Sequence, residues 1–387
     1  MSEIEKIKNL IHQDLVEEAF ELGQANDLDS IIQEIREKKN GYSYFLVRAK
    51  NDGKAIEEVD FISRFDDVSF GKMVEETYEA TSVESDQYDS EYLLKSASLL
   101  IENKDFALAR NIYQALLRRG LVLPKALLGM GIAFEGEGKP EEALKCYQES
   151  IAYSPEYPSY MHLAKLQIKL EKERDATEIL LYASELPELV ISEKFEIFKL
   201  LGNCFSRLGD YPRAELNYKK AFEIDSNSEI LQVNVGSLAL QKNDLASAEK
   251  HFLKALELNP KNPKAKSGLG MAYLMKNETS LAYGLFVSSL KDDIDSLSTI
   301  YNLIKCAYDL ERFDETIELL RSFLSLHPNN SNIKYSLAGL LYQKGDLSAA
   351  LGELNLLLDM NPAHGGAREL REVVSTRLQQ QANKKGE

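Results

Sequence analysis

The sequence predicts an all-α solenoid of stacked helical hairpins, and three observations predict it. Residues 195–364 divide into five consecutive blocks of 34 residues with no insertion or deletion, starting at 195, 229, 263, 297 and 331. The blocks share one pattern of residue size. At 387 residues the chain also exceeds the length at which a single core stops growing, so it needs several domains or a repeat stack.

The pattern is positional. A small residue stands at the eighth position of four of the five blocks (Gly202, Gly236, Gly270, Ala338), with Ile304 the exception. Alanine recurs at the twentieth as Ala214, Ala248, Ala282 and Ala350. The twenty-fourth is aromatic or leucine: Tyr218, Phe252, Phe286, Leu320 and Leu354. Pro260, Pro328 and Pro362 close three blocks. Small residues at positions 8 and 20 let two helices approach closely, the large residue at position 24 fills the gap between repeats, and proline cannot continue a helix.

This pattern resembles the tetratricopeptide repeat family, whose fold is a right-handed α-solenoid with a concave groove lined by the first helix of each hairpin. Upstream, a block from 90 carries Ala97, Ala109 and Tyr113 at positions 8, 20 and 24. The block from 124 carries Gly131, Phe134, Gly138, Ala143, Tyr147 and Pro155, and the block from 157 carries Ala164, Ala176, Leu180 and Ala183. About four extra residues around Pro187–Ser192 precede Phe195 and predict a lengthened loop or helix end. Eight repeats over 90–364 result, about seven-tenths of the chain. Gly365-Gly366 and the helical spacing of Leu370, Val373, Val374 and Leu378 then predict a cap helix and polar tail over 365–387, which cover the apolar face of the last repeat.

Residues 1–89 are a separate, small N-terminal region of helices plus a β-hairpin. Ile4, Ile7, Leu10, Ile11 and Leu15 predict an amphipathic helix ending near Gly23, and Leu28, Ile31, Ile32 and Ile35 a second. Tyr42–Val47 and Val59–Ile62 are aromatic and β-branched around the turn signal Asn51-Asp52-Gly53, which predicts the hairpin. Phe70, Met73, Val74 and Tyr78 suggest a further helix, and Thr81–Asp89 an acidic linker.

The net charge is −16, of which −12 falls in residues 1–89 and −4 in the remainder. Neither part has the basic stripe that counterion release from nucleic acid requires, and the sign disfavours a membrane surface. No run reaches membrane-spanning length, and charges interrupt Met1–Leu15, so no insertion and a cytoplasmic location are expected. Cys146, Cys204 and Cys306 lie far apart inside repeat helices and read as small buried residues. Five scattered histidines form no HExxH pattern. Gly129–Gly131 and Gly268–Gly270 follow no strand, and their second glycine falls on position 8. The chain therefore reads as non-enzymatic, with no cofactor and no metal.

Surface remains. The resemblance implies that positions 2, 5, 6, 9, 12 and 13 face the groove, and there Lys199, Asn203, Asn234 and Lys264 match, in type and spacing, the carboxylate clamp with which some members of the family hold a C-terminal tail. Two ammonium groups neutralise carboxylates while asparagines bond the peptide backbone. Where that clamp has arginine one turn after the last lysine, this chain has Gly268. Asn302 extends the asparagine row, and Tyr301, Tyr308, Tyr335 and Tyr342 add four phenols. The expected function is an adaptor or scaffold binding a protein or peptide partner, an acidic or C-terminal tail, in the groove. A structural subunit of a larger assembly, or a ligand-binding or catalytic N-terminal region with the repeats recruiting its substrate, are the alternatives.

Overall fold

The computed structural model describes residues 29–39, 42–51, 54–59, 94, 97–98, 100–102, 104–118, 120 and 122–385. The helices expected near residues 4–23 and 70–78 and the linker 81–89 lie outside them. The chain divides into two units, Met1–Ile197 and Phe198–Glu387.

In the first unit, β1 (Asp29–Lys39), β2 (Tyr42–Asn51) and β3 (Lys54–Val59) form an antiparallel sheet in the order β1-β2-β3, with Ile32 opposite Val47 and Val47 opposite Val59. A hairpin is present as β2–β3, but its second strand is Lys54–Val59; the run expected as that strand, Val59–Ile62, meets it only at Val59, and its other residues lie outside the described ones. The helix expected from Leu28, Ile31, Ile32 and Ile35 is instead β1. Three of those four residues are isoleucine, whose branched Cβ restricts χ1 in a helix and suits a pleated strand, and the ladder to β2 supplies the backbone partners.

The same unit continues with helical residues at 94, 97–98 and 100–102, then α1 (Phe106–Arg118), α2 (Leu123–Gly136), α3 (Pro140–Tyr153), α4 (Tyr157–Lys169) and α5 (Glu173–Ser184). The unit boundary falls inside α6 (Ile191–Arg207). The second unit contains α7 (Tyr211–Ile224), α8 (Glu229–Gln241), α9 (Leu245–Leu258), α10 (Pro263–Met275) and α11 (Thr279–Asp292). It ends with α12 (Leu297–Leu310), α13 (Asp314–Leu326), α14 (Ser331–Lys344), α15 (Leu347–Met360) and α16 (Gly365–Lys385). Even-numbered helices from α2 to α14 are first helices of hairpins and odd-numbered ones are second helices. The cap helix α16 contributes the buried Ala367 and Val374 to the core of the last repeats.

Local chemistry sets each hairpin. The fifteenth position has positive φ in every repeat: Lys104, Gly138, Glu171, Gly209, Asn243, Asn277, Glu311 and Gly345. A left-handed residue there ends the first helix and turns the chain toward the second. One residue later, Asp210, Asp244 and Asp346 cap α7, α9 and α15, each carboxylate accepting a backbone N–H at 3.1–3.2 Å. Ser228, Asn262 and Asn330 cap α8, α10 and α14 in the same way, each worth about 1 kcal/mol.

Packing explains the glycines. The ring at position 24 lies against the backbone at position 8 of its own repeat: Tyr147 on Gly131, Tyr218 on Gly202, Phe252 on Gly236 and Phe286 on Gly270. A Cβ at Gly270 would stand 2.7 Å from Cε1 of Phe286. Where position 24 is leucine, position 8 carries a side chain, as in Ala164 with Leu180, Ile304 with Leu320 and Ala338 with Leu354, all buried. Glycine at position 6 does the same for the preceding repeat, so Tyr113 rests on Gly129 and Phe252 on Gly268.

Candidate functional site

The residues singled out in the sequence fall on five first helices of the second unit. Lys199 and Asn203 are on α6, Asn234 on α8 and Lys264 on α10; Tyr301, Asn302 and Tyr308 are on α12, and Tyr335 and Tyr342 on α14. At 3.6 residues per turn, the positions they occupy share one helix face.

Two of the polar residues come together. Asn203 Oδ1 accepts from Asn234 Nδ2 at 2.9 Å and from the Tyr218 hydroxyl at 2.8 Å, linking α6, α7 and α8. Burial pushes the Tyr218 phenol up from its ordinary value, so it stays a protonated donor. Among the described residues the other ends of this couple, the Asn203 NH2 and the Asn234 carbonyl, make no further bond. Nearby, Ser206 Oγ donates to Gln241 Oε1 at 2.9 Å, and the hydroxyls of Ser267 and the buried Thr299 lie 2.8 Å apart, tying α6 to α8 and α10 to α12.

The two lysines differ. Lys199 is half-buried and already engaged within the fold. Lys264 is exposed, and among the described residues no acidic side chain pairs with it; its neighbour Lys266 pairs with Asp292. Gly268, one turn on, is closed to any side chain because a Cβ there would overlap Cε1 and Cζ of Phe252. The fully buried Phe252 ring therefore explains the missing clamp arginine: repeat packing occupies the space that its Cβ would need.

The tyrosines also separate into two groups. Tyr301 and Tyr308 are 44% and 39% exposed, seven residues apart on α12. The Tyr308 hydroxyl abuts the backbone of Gly339, and its ring meets Phe313 edge-on at 6.1 Å. Burial, and then the nearby Tyr335 phenol, push the Tyr308 phenol up. Tyr335 and Tyr342 are half-buried and serve the cap: Tyr335 packs 5.0 Å from the His364 ring, and the Arg377 guanidinium lies 4.7 Å over Tyr342 beside a cleft of about 340 Å³. Residues not singled out complete the face. Met275 is exposed, Met271 and Leu274 are half-buried, and Lys305 is exposed, at groove positions of α10 and α12. Reading apolar as well as polar residues at those positions would have found them.

The first unit has its own network. Glu135 accepts from the Tyr147 hydroxyl at 3.2 Å and from Lys169 at 3.3 Å, while the His162 ring lies 5.5 Å from the Tyr147 ring. Burial holds the His162 imidazole below its ordinary value, so it is kept neutral. Among the described residues no group of His, Cys, Asp and Glu could hold a metal ion. Cys146, Cys204 and Cys306 are buried free thiols, and burial, then Glu149 and Glu142, push Cys146 up to about 11.

Family models of the tetratricopeptide repeat match residues 94–161, 197–228, 235–289 and 307–371, together more than half of the chain. The chain belongs to the tetratricopeptide repeat family. A probable UDP-N-acetylglucosamine–peptide N-acetylglucosaminyltransferase SPINDLY of Hordeum vulgare is 26% identical over 154 residues, which covers 37% of this chain and 16% of that protein. Among solved structures, the APC/C hetero-tetramer Cut9–Hcn1 is 19% identical, covers 79% of this chain and 52% of that one, and has a TM-score of 0.45. A tetratricopeptide repeat protein from Parabacteroides merdae ATCC 43184 is 14% identical, covers 65% and 98%, and has a TM-score of 0.44. The chain thus spans about one-sixth of the curated relative and about half of Cut9–Hcn1. Its tetratricopeptide repeats make it a protein-interaction scaffold in general terms. Among the described residues no helix is long and apolar enough to cross a membrane.

Proposed function

We propose that the chain is an adaptor whose first-helix face on α6–α14 binds an extended peptide of a partner protein. One observation carries this reading: Tyr301 and Tyr308 hold two large phenols half-exposed on one face of α12, with the exposed Met275 and the exposed Lys264 on the neighbouring first helix. Rigid rings of this kind bury area at low rotamer cost and keep a hydrogen-bonding tip. In the bound state Tyr301 and Tyr308 anchor apolar side chains. The Asn203 NH2 and the Asn234 carbonyl offer one donor and one acceptor to the peptide backbone, as Asn302 does further along. Lys264 attracts a carboxylate, and Lys199, Tyr335 and Tyr342 border the face while serving the fold. With Gly268 in place of arginine, selectivity comes from the apolar anchors more than from a terminal carboxylate.

The test is selection of peptides from a random library on the full chain, followed by affinity measurement on Tyr301→Ala with Tyr308→Ala and on Lys264→Ala. Weakening of about tenfold or more by the tyrosine pair supports the reading, since anchors of this type carry about 2 kcal/mol or more. Selected peptides that bind all variants equally would refute it.

A further inference from the structure

The one insertion in the repeat period lies between α5 and α6, and large apolar side chains stand exposed around it. Tyr182 near the end of α5 is 59% exposed, and Val190 and Ile191, which lead into α6, are 56% and 72% exposed. Leu181 and Tyr153, the last residue of α3, are exposed as well. All five belong to the first unit. The second helices α3 and α5 run in the same direction, so their C-terminal ends share one edge with the starts of α4 and α6. The side-chain contacts agree: the Ser150 and Ser159 hydroxyls lie 2.8 Å apart between α3 and α4, and Lys165 on α4 pairs with Glu196 on α6 at 3.5 Å. The Tyr157 phenol at the start of α4 is pushed up to about 12 by burial and then by Glu196 and Glu193 at the start of α6. Pro187 fixes one φ in the connecting loop, and Val190 N–H donates to Glu193 Oε2 at 3.1 Å, so the apolar residues are presented from an ordered turn.

Exposed apolar surface of this kind marks an interaction site, and charge selects the occupant. Residues 149–158 and 178–193, which form the ends of α3 and α5 and the turns after them, contain Glu149, Glu156, Glu178, Glu185, Glu188 and Glu193 and no lysine, arginine or histidine. Among the described residues none of these six carboxylates pairs with a basic side chain. Their charge is left without a cationic partner, and a second copy of this chain, with its net charge of −16, would be repelled.

We propose that this edge docks a basic amphipathic segment of a partner protein. The apolar residues of that segment cover Tyr182, Val190 and Ile191, and its lysines or arginines lie among Glu185, Glu188 and Glu193. The residues of this edge belong to the first unit and those of the proposed groove to the second, so the proposal adds a second contact surface to the chain.

The experiment uses the full chain and two fluorescent synthetic peptides with leucines at helical spacing, one with lysine and one with glutamate on its polar face. The lysine peptide is expected to bind, more weakly as salt rises, and the glutamate peptide not to bind. Tyr182→Ser with Ile191→Ser should weaken the lysine peptide by about tenfold or more. Glu185→Lys with Glu188→Lys should weaken it similarly and admit the glutamate peptide, while Tyr301→Ala should leave it unchanged. Unaltered thermal melting of these surface variants shows that the fold is kept. Equal binding of the two peptides by the wild type, indifference to both edge variants, or sensitivity to Tyr301→Ala alone would overturn the proposal. A concentration-dependent dimer of the wild type that Ile191→Ser dissolves would also overturn it, because the edge would then be covered by a second copy.

Discussion

Gly268→Ala tests the packing that shapes the groove. Alanine favours a helix over glycine by about 1 kcal/mol, and at Gly284 in α11, where an added Cβ meets nothing within 4 Å, that gain should appear alone. At Gly268 the same carbon overlaps the buried Phe252 ring, which is already held on its other side by Gly236. Overpacking of this kind costs about 1–3 kcal/mol, so Gly268→Ala should fall about 1–3 kcal/mol below Gly284→Ala in urea unfolding of the full chain. Phe252→Leu should recover much of the difference, because leucine lacks the ring atoms Cε1 and Cζ that a Cβ at position 268 would meet at 2.4 Å. The double-mutant cycle should then give an interaction energy of about 0.5–3 kcal/mol. Equal stability of the two alanine variants, or strict additivity with Phe252→Leu, would refute the argument that the ring excludes a side chain at 268.

Three further outcomes follow from the same residues. Asn203→Ala leaves the buried Tyr218 hydroxyl and the Asn234 amide without their shared acceptor and should cost about 1–3 kcal/mol in denaturant unfolding, of which Tyr218→Phe recovers part. Glu311→Gly relieves a left-handed residue at the turn into α13 and should stabilise by about 1 kcal/mol, whereas Gly345→Ala at the equivalent turn should destabilise. His162 and His251 are both held below their ordinary 6.5 in the fold, chiefly by burial. The unfolded chain therefore takes up protons first as pH falls. The stability contributed by the neutral rings is present in full above about 6.5 and is lost as pH falls from there through the folded values. Thermal midpoints of wild type against His162→Gln with His251→Gln should converge over that window as pH falls, and parallel curves would contradict this.

The repeat phase was legible because each 34-residue block reuses the same contacts, and a residue at position 8 meets position 24 of its own block. The second-level signals were present too: left-handed position 15 and the Asp caps after it recur at fixed spacing, and Asp210, Asp244 and Asp346 could have been read as caps. Contacts between repeats were harder to see. The role of Gly268 depends on Phe252 in the preceding repeat, and the Asn203–Asn234–Tyr218 cluster joins three helices, so neither is visible from position alone. The strand β1 was misread because the isoleucines of Asp29–Lys39 fit a helical face as well as a pleated ladder, and only pairing with Tyr42–Asn51 separates the two. The exposed edge at Tyr182, Val190 and Ile191 lay in the aperiodic stretch, where repeat position says nothing about which side chains face outward.

The most direct test of the proposed groove is amide hydrogen exchange of the full chain with and without a library-selected peptide. Binding on the first-helix face predicts slower exchange concentrated in α8, α10, α12 and α14 of the second unit, and the effect should be lost in Tyr301→Ala with Tyr308→Ala. Protection confined to second helices such as α9, α11 and α13, or none beside measurable binding, would contradict it.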